Sequence, residues 1–131
     1  MRTELQKGIA GEHLVCSDTH NQGYSAHIIG NQENYDIILN AHKLIKIQVK
    51  TSNYSEPDRF ENYISFVLCR KSPKGVLGEY KNIDMFAFVW LKEKKIAYFH
   101  PKECGKYKKR INKTRFEGFP LDRALSILMS N

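Results

Sequence analysis

Tyr35-Asp36-Ile37-Ile38-Leu39 and, a short turn later, Ile47-Gln48-Val49-Lys50 are two apolar runs that carry an acid, an amide and an amine inside them. Their β-branched and aromatic content reads as strand, over Tyr35 to Asn40 and over Leu44 to Thr51. Ala41-His42-Lys43 between them is short enough to make the pair an antiparallel hairpin. A turn of that length sets position 40 opposite 44 and therefore 36 opposite 48. Side chains alternate along a strand, so this register puts Asp36, Gln48 and Lys50 on one side of the pair. Folding alone asks for none of them there.

Upstream, Thr3 to Asn21 reads as a helix whose stripe Leu5, Ile9, Glu12 and Cys16 follows the 3.6-residue period, widened by Leu14 and Val15. A carboxylate therefore sits in the middle of an apolar stripe, which costs several kcal/mol unless it is paired, coordinated or turned to solvent. Gly8 and Gly11 lower the helix propensity and let the backbone approach whatever it packs on. Gln22-Gly23 ends the helix, Ser25 to Ile29 is a short strand, and Gly30 to Asn34 is a turn into the hairpin.

Downstream, Ser52 to Asn62 is too polar for core and is expected as a loop, followed by a strand from Tyr63 to Cys69. Arg70 to Asn82, with Pro73, Gly75 and Gly78, is expected as a second long loop. Met85 to Leu91 and Lys95 to Phe99 form a second hairpin around Lys92-Glu93-Lys94. Pro120 opens a last helix, Leu121 to Met129, with Leu121, Leu125 and Leu128 on its inner face. Asp84 heads its strand and reads as a structural cap, and Trp90 as core.

The chain of 131 residues is expected to form a single domain, 1–131, with no linker, repeat or low-complexity stretch to divide it. At 41% hydrophobic and 27% charged it has the composition of a folded globular protein rather than a disordered one. No apolar run reaches the roughly 18 residues of a membrane span and Met1-Arg2-Thr3-Glu4 opens no signal-peptide core, so an intracellular, cytoplasmic and nucleoid-associated location is expected. Cys16, Cys69 and Cys104 are odd in number and lack CxxC spacing, and the histidines lack HExxH spacing. Any metal chemistry is therefore carboxylate chemistry.

The net charge of +7 is concentrated. From Lys92 to Arg115 there are ten basic residues and two acidic ones, interleaved with Tyr98, Phe99 and Tyr107. Such a tract suits a polyanion, and it is equally what a solvated basic loop looks like. The candidate DNA contacts are Lys106, Lys108, Lys109 and Arg110 within it, and Lys71 and Lys74 in the second loop.

An aspartate and a glutamate near a lysine supply oxygen ligands for a hard cation and a positive charge beside an attacked phosphate. The order helix glutamate, strand aspartate, then Gln48-Val49-Lys50 resembles the PD-(D/E)XK nuclease superfamily, and within it the group I intron-encoded endonucleases, where Ile47-Gln48-Val49-Lys50-Thr51 has the branch's own form. Gly8-Ile9-Ala10-Gly11-Glu12, Gly23-Tyr24, Asp84-Met85-Phe86-Ala87-Phe88-Val89 and Tyr98-Phe99-His100-Pro101 add to the resemblance, which spans about four-fifths of the chain and fades near Gly105. It implies an α/β fold: a restriction-endonuclease-like mixed β-sheet flanked by helices, with an α-βββ-β core.

The resemblance further implies Glu12, Asp36, Gln48 and Lys50 as the catalytic set, with Mg²⁺, or Mn²⁺ as a substitute, held by Glu12, Asp36 and the Val49 carbonyl. It implies DNA as substrate, double-stranded or branched, and a homo-oligomer, dimer or tetramer, since one such site cuts one strand. Three readings follow from these residues. One is a metal-dependent homing- or restriction-type endonuclease, and the second a Holliday junction resolvase or repair nuclease. The third is a nuclease-fold DNA-binding protein whose metal site has decayed through Gln48. Thr51 and Ser52 could hydrogen-bond a phosphate, and Lys50 could simply snorkel from its strand.

Overall fold

The structure is a computed structural model that describes residues 3–29, 35–52, 62–72, 75–79 and 82–130. Helix α1 spans Glu4–Asn21. Thr3 caps it: its hydroxyl accepts from the Gln6 N–H while the Gln6 side chain accepts from the Thr3 N–H, which satisfies two donors at the exposed helix start. Strands β1 (Ser25–Ile28), β2 (Ile37–Asn40) and β3 (Leu44–Ser52) follow as an antiparallel meander. The register predicted from the turn is found, with Asn40 opposite Leu44 and Ile37 opposite Ile47, and His42 in the turn takes a positive φ of 70°. The Gly30–Asn34 turn and most of the polar stretch after Ser52 lie outside the described residues.

Strand β4 (Tyr63–Val67) leaves the main sheet and pairs with β9 (Lys108–Asn112), a strand the sequence did not announce because its only apolar residue is Ile111. β5 (Cys69–Ser72) and β6 (Gly75–Glu79) form an antiparallel ribbon where a loop was expected. Ser72 stands opposite Gly75, so the two strands form a hairpin. Strands β7 (Met85–Trp90) and β8 (Lys95–Phe99) make the expected second hairpin, turned by a 3-10 segment at Leu91–Glu93 and a left-handed Lys94. Helix α2 spans Leu121–Met129, with Leu121, Leu125 and Leu128 buried as predicted.

The main sheet has the order β1-β2-β3-β7-β8 and is mixed, because β3 and β7 run parallel while every other pair is antiparallel. A parallel pair needs a crossover, here residues 53–84. Asp84 fastens its end: its N–H donates to the Lys46 carbonyl and its carboxylate accepts from the Lys46 N–H, both at 2.9 Å. The structural reading of Asp84 thus holds.

The sheet separates two cores. One side is aliphatic: Ile37, Ile45, Ile47, Met85 and Val89 pack beneath Val15 of α1 and Leu121 and Leu125 of α2. The other is aromatic: Phe86, Phe88 and Phe99 pack against Ile64 and Phe66 of β4, Ile111 of β9 and Phe116. Trp90 joins this second side only half-buried. The stripe expected on α1 is rotated. Leu5 is 65% and Ile9 43% exposed, and the buried positions are Gly11, Val15 and Thr19. A helix approaches a sheet most closely along its small residues, and Gly11 sets that line.

Candidate active site

Asp36 stands one residue before β2 begins, at the point where β3 runs on without its antiparallel neighbour. Its N–H donates to the Ile47 carbonyl at 2.8 Å, and its carboxylate Oδ2 accepts from the Val49 N–H at 2.9 Å. The Asp36 carbonyl accepts from the Ile29 N–H at 2.8 Å. A side-chain acceptor therefore serves β3 where the ladder stops, which fixes the carboxylate against the strand that carries Gln48 and Lys50. Burial raises the Asp36 pKa, while the Val49 N–H and the nearby Lys50 charge pull it down.

Gln48 is 8% exposed and Lys50 half-buried, and both lie on the aromatic side of the sheet opposite Phe86 and Phe88. Glu12 comes from the aliphatic side, on α1, next to Gly11. An added Cβ at Gly11 would lie 1.9 Å from Thr51 Oγ1, so the helix backbone rests directly on β3 one residue past Lys50. Gly8 has no such neighbour, which divides the pair of glycines that the sequence presents alike. Thr51 Oγ1 is buried there without a hydrogen-bond partner among the described residues.

That contact sets Glu12 beside Asp36. Burial, and then the Asp36 charge, push the Glu12 carboxyl up to about 7. Two carboxylates gathered in partial burial resist ionising together, and a cation between them relieves both costs. Among the described residues no group of three or more His, Cys, Asp or Glu side chains could hold a metal ion. A pair of carboxylates fits Mg²⁺ or Mn²⁺, which keep several waters of their own, whereas a dedicated zinc cage would need four protein ligands or three and an open place. Val49 lies in the same stretch, paired with Ala87.

The proposed DNA contacts divide. Lys108 and Arg110 point outward from β9, with Arg110 stacked over Tyr63 at 4.6 Å. Lys109 turns inward, its ammonium 4.1 Å from the Phe99 ring centroid and donating to the Glu103 carbonyl at 2.9 Å. Lys106 lies over Tyr107 at 5.8 Å. Lys74 and the Lys71 side chain lie outside the described residues. His100, in one of the family-like motifs, caps a 3-10 turn: it accepts from the Lys102 N–H and its own N–H donates to Glu103. Glu103 also takes both Arg123 nitrogens, at 2.7 and 3.1 Å, which ties α2 to the sheet. This motif is architectural.

Comparison with known proteins gives the geometry its context. No curated protein matches the chain. A solved structure described as a bacterial homing endonuclease, I-Ssp6803I, superposes with a TM-score of 0.73 over 98% of this chain and 95% of that one, at 17% identity. Likeness at that identity establishes the fold, a nuclease-type mixed sheet flanked by helices. A family model described as PD-(D/E)XK endonuclease matches residues 2–118, well past Gly105, where the sequence resemblance was expected to fade. With helix glutamate, strand-end aspartate and Gln-x-Lys in their order on that fold, the chain belongs to the PD-(D/E)XK endonuclease family.

Proposed function

We propose that the chain is a divalent-metal-dependent DNA endonuclease of the homing or restriction type, with Glu12, Asp36, Gln48 and Lys50 as its catalytic set. The observation that carries this reading is where the two acids are held: Gly11, beside Glu12, rests on Thr51 of the strand that bears Lys50, the Val49 N–H of the same strand holds Asp36, and burial and then the Asp36 charge raise the Glu12 carboxyl.

Glu12, Asp36 and the Val49 carbonyl would hold Mg²⁺ or Mn²⁺, which when bound supplies charge neutralisation at the phosphate and an acidified water. The chain's own groups do the rest. Asp36 is held against β3 by the Val49 N–H, which fixes one carboxylate in advance. Glu12, whose carboxyl burial and the Asp36 charge push up to about 7, would be one of the two acids to hold the ion. Gln48, neutral and buried, offers an amide to position a water without adding charge. The Lys50 ammonium sits where negative charge grows on the attacked phosphodiester. Lys106, Lys108 and Arg110 belong to the surface that holds the duplex, with Lys71 and Lys74 as further contacts. One such site cuts one strand, so a homodimer or tetramer completes the reading.

The test is Mg²⁺-dependent cleavage by wild type and Asp36→Ala on supercoiled plasmid, genomic DNA and a synthetic four-way junction. Cleavage of linear or supercoiled duplex that disappears in the variant is expected. Preference for the junction would instead favour a resolvase. Equal DNA binding by both proteins with no cleavage by either would sink the enzyme reading.

A further inference from the structure

The pairing registers carry the Lys50 side of the sheet across toward β8. Lys50 stands opposite Phe88, Ser52 opposite Trp90, and Trp90 opposite Lys95. Paired positions share a face, so Lys50, Trp90 and Lys95 project on the same side, the aromatic one. Two strand spacings of about 4.8 Å and two residues of about 3.3 Å put Lys95 roughly 12 Å from Lys50 along that face.

At this end of the sheet two ammonium groups from different elements converge on one indole. Lys95 Nζ is 5.6 Å from the Trp90 ring centroid, and Lys113 Nζ is 5.9 Å from it. Lys113 opens the 3-10 segment whose Phe116 packs on the same ring at 5.8 Å. The carboxylate set against Lys95 is Glu117, at 3.6 Å and 75% exposed, a weak partner that an incoming anion can displace. Half-buried stems lying on a rigid ring fix where these charges point, so they lose little freedom on meeting a ligand.

We propose that Trp90, Lys95 and Lys113 form a subsite for the sugar-phosphate backbone of duplex DNA, on the β8 side of the scissile phosphate. The inference rests on the nuclease reading and extends it within the basic stretch from Lys92 to Arg115 to two lysines beyond the contacts at Lys106, Lys108 and Arg110. A separation of roughly 12 Å spans only a few consecutive nucleotides of one strand, so one strand can touch both places. The subsite recognises the phosphodiester chain and carries no base preference.

The experiment is fluorescence anisotropy of a labelled short duplex with the full chain, without divalent metal, over a potassium chloride series. Lys95→Gln/Lys113→Gln keeps much of both stems on Trp90 and removes the charges. It is expected to weaken binding on the order of tenfold and to make the slope of log K against log salt shallower by roughly two. Glu117→Gln, at an exposed position, is expected to act in the opposite direction and tighten binding about two- to threefold, which misfolding does not produce. Unchanged affinity and slope in the double variant, or weaker binding by Glu117→Gln, overturns the subsite. If wild type binds no duplex at any salt, the DNA reading falls and the subsite with it. If wild type binds and cuts while these variants behave identically, the subsite alone falls.

Discussion

The two sides of β3 are both covered, and they are covered for different reasons. Ile45, Ile47 and Val49 enter the aliphatic cluster beneath α1 and α2. Gln48 and Lys50 emerge among aromatic side chains, Gln48 buried and Lys50 half-buried, where a hydrophobic residue would pack at less cost. In a strand with only one covered side this alternation would mean core and solvent. Here the polar side is retained beside Asp36, and the cost is borne at the place proposed for the chemistry.

The widest separation between the two sides should come from Lys50→Met against Ile47→Ala. Lys50→Met is expected to cut the cleavage rate on the order of a thousandfold, about 4 kcal/mol, with the melting temperature nearly unchanged. Ile47→Ala removes a fully buried side chain and should cost about 3 kcal/mol of stability, while leaving the rate per folded molecule intact. Steady-state rates and thermal melts on both proteins decide it. A Lys50→Met protein that still cuts and merely melts early would erase the distinction.

The two glycines of α1 repeat the comparison on one helix. Alanine at Gly8 meets nothing within 4 Å and should be neutral or stabilising by up to about 1 kcal/mol, from helix propensity. Alanine at Gly11 meets Thr51 Oγ1 at 1.9 Å and must push the helix off β3, at about 2–3 kcal/mol. Because Glu12 follows Gly11, Mn²⁺ affinity measured by calorimetry should fall in Gly11→Ala and stay constant in Gly8→Ala. Denaturant midpoints that shift equally in the two variants would show that the close approach is unimportant.

Much of this was legible in the chain. The α1, β2–β3, β7–β8 and α2 boundaries followed from periodicity and punctuation, and the 40-to-44 register followed from turn length alone. Asp36, Gln48 and Lys50 stood out in the sequence because charged and amide groups in apolar strands are anomalous. The rest depended on tertiary contact. β9 is a strand because β4 pairs with it, although Lys108-Lys109-Arg110 looks like solvated chain. Leu5 and Ile9 fit a helical stripe but stay exposed, since the direction a helix faces is chosen by its closest approach, at Gly11. Nor could spacing show that Glu12 meets Asp36, because they belong to different elements.

Acid shifts give a smaller effect with a definite sign. Glu12 ionises near the ordinary 4.5 in an unfolded chain and near about 7 in the fold, raised by burial and then by Asp36. Between those values the folded protein binds more protons than the unfolded one, so this contribution is full below pH 4.5 and is lost as pH rises through 7. Asp36, also raised, adds in the same direction, whereas His100, lowered by burial and by Lys102, opposes it. Allowing for solvent screening, metal-free wild type should lose about 1–2 kcal/mol relative to Glu12→Gln between pH 5 and 8. Urea unfolding of both proteins across that range checks it, and parallel pH curves would remove the Glu12–Asp36 coupling.

The smallest effect tests the seam where the two sides of β3 meet. Thr51 Oγ1 is buried without a hydrogen-bond partner among the described residues, next to the Gly11 backbone and one residue past Lys50. Valine has nearly the same shape and no hydroxyl, so if the oxygen is a plain structural burden Thr51→Val should stabilise the protein by up to about 1 kcal/mol. If that hydroxyl instead serves the bound state, the same change should gain stability and lose cleavage several-fold, with the loss in kcat. A melt and a rate on one variant therefore sort Thr51 to the packing side or the chemical side. A variant that loses stability while keeping its rate would place the hydroxyl's partner in the folded protein itself.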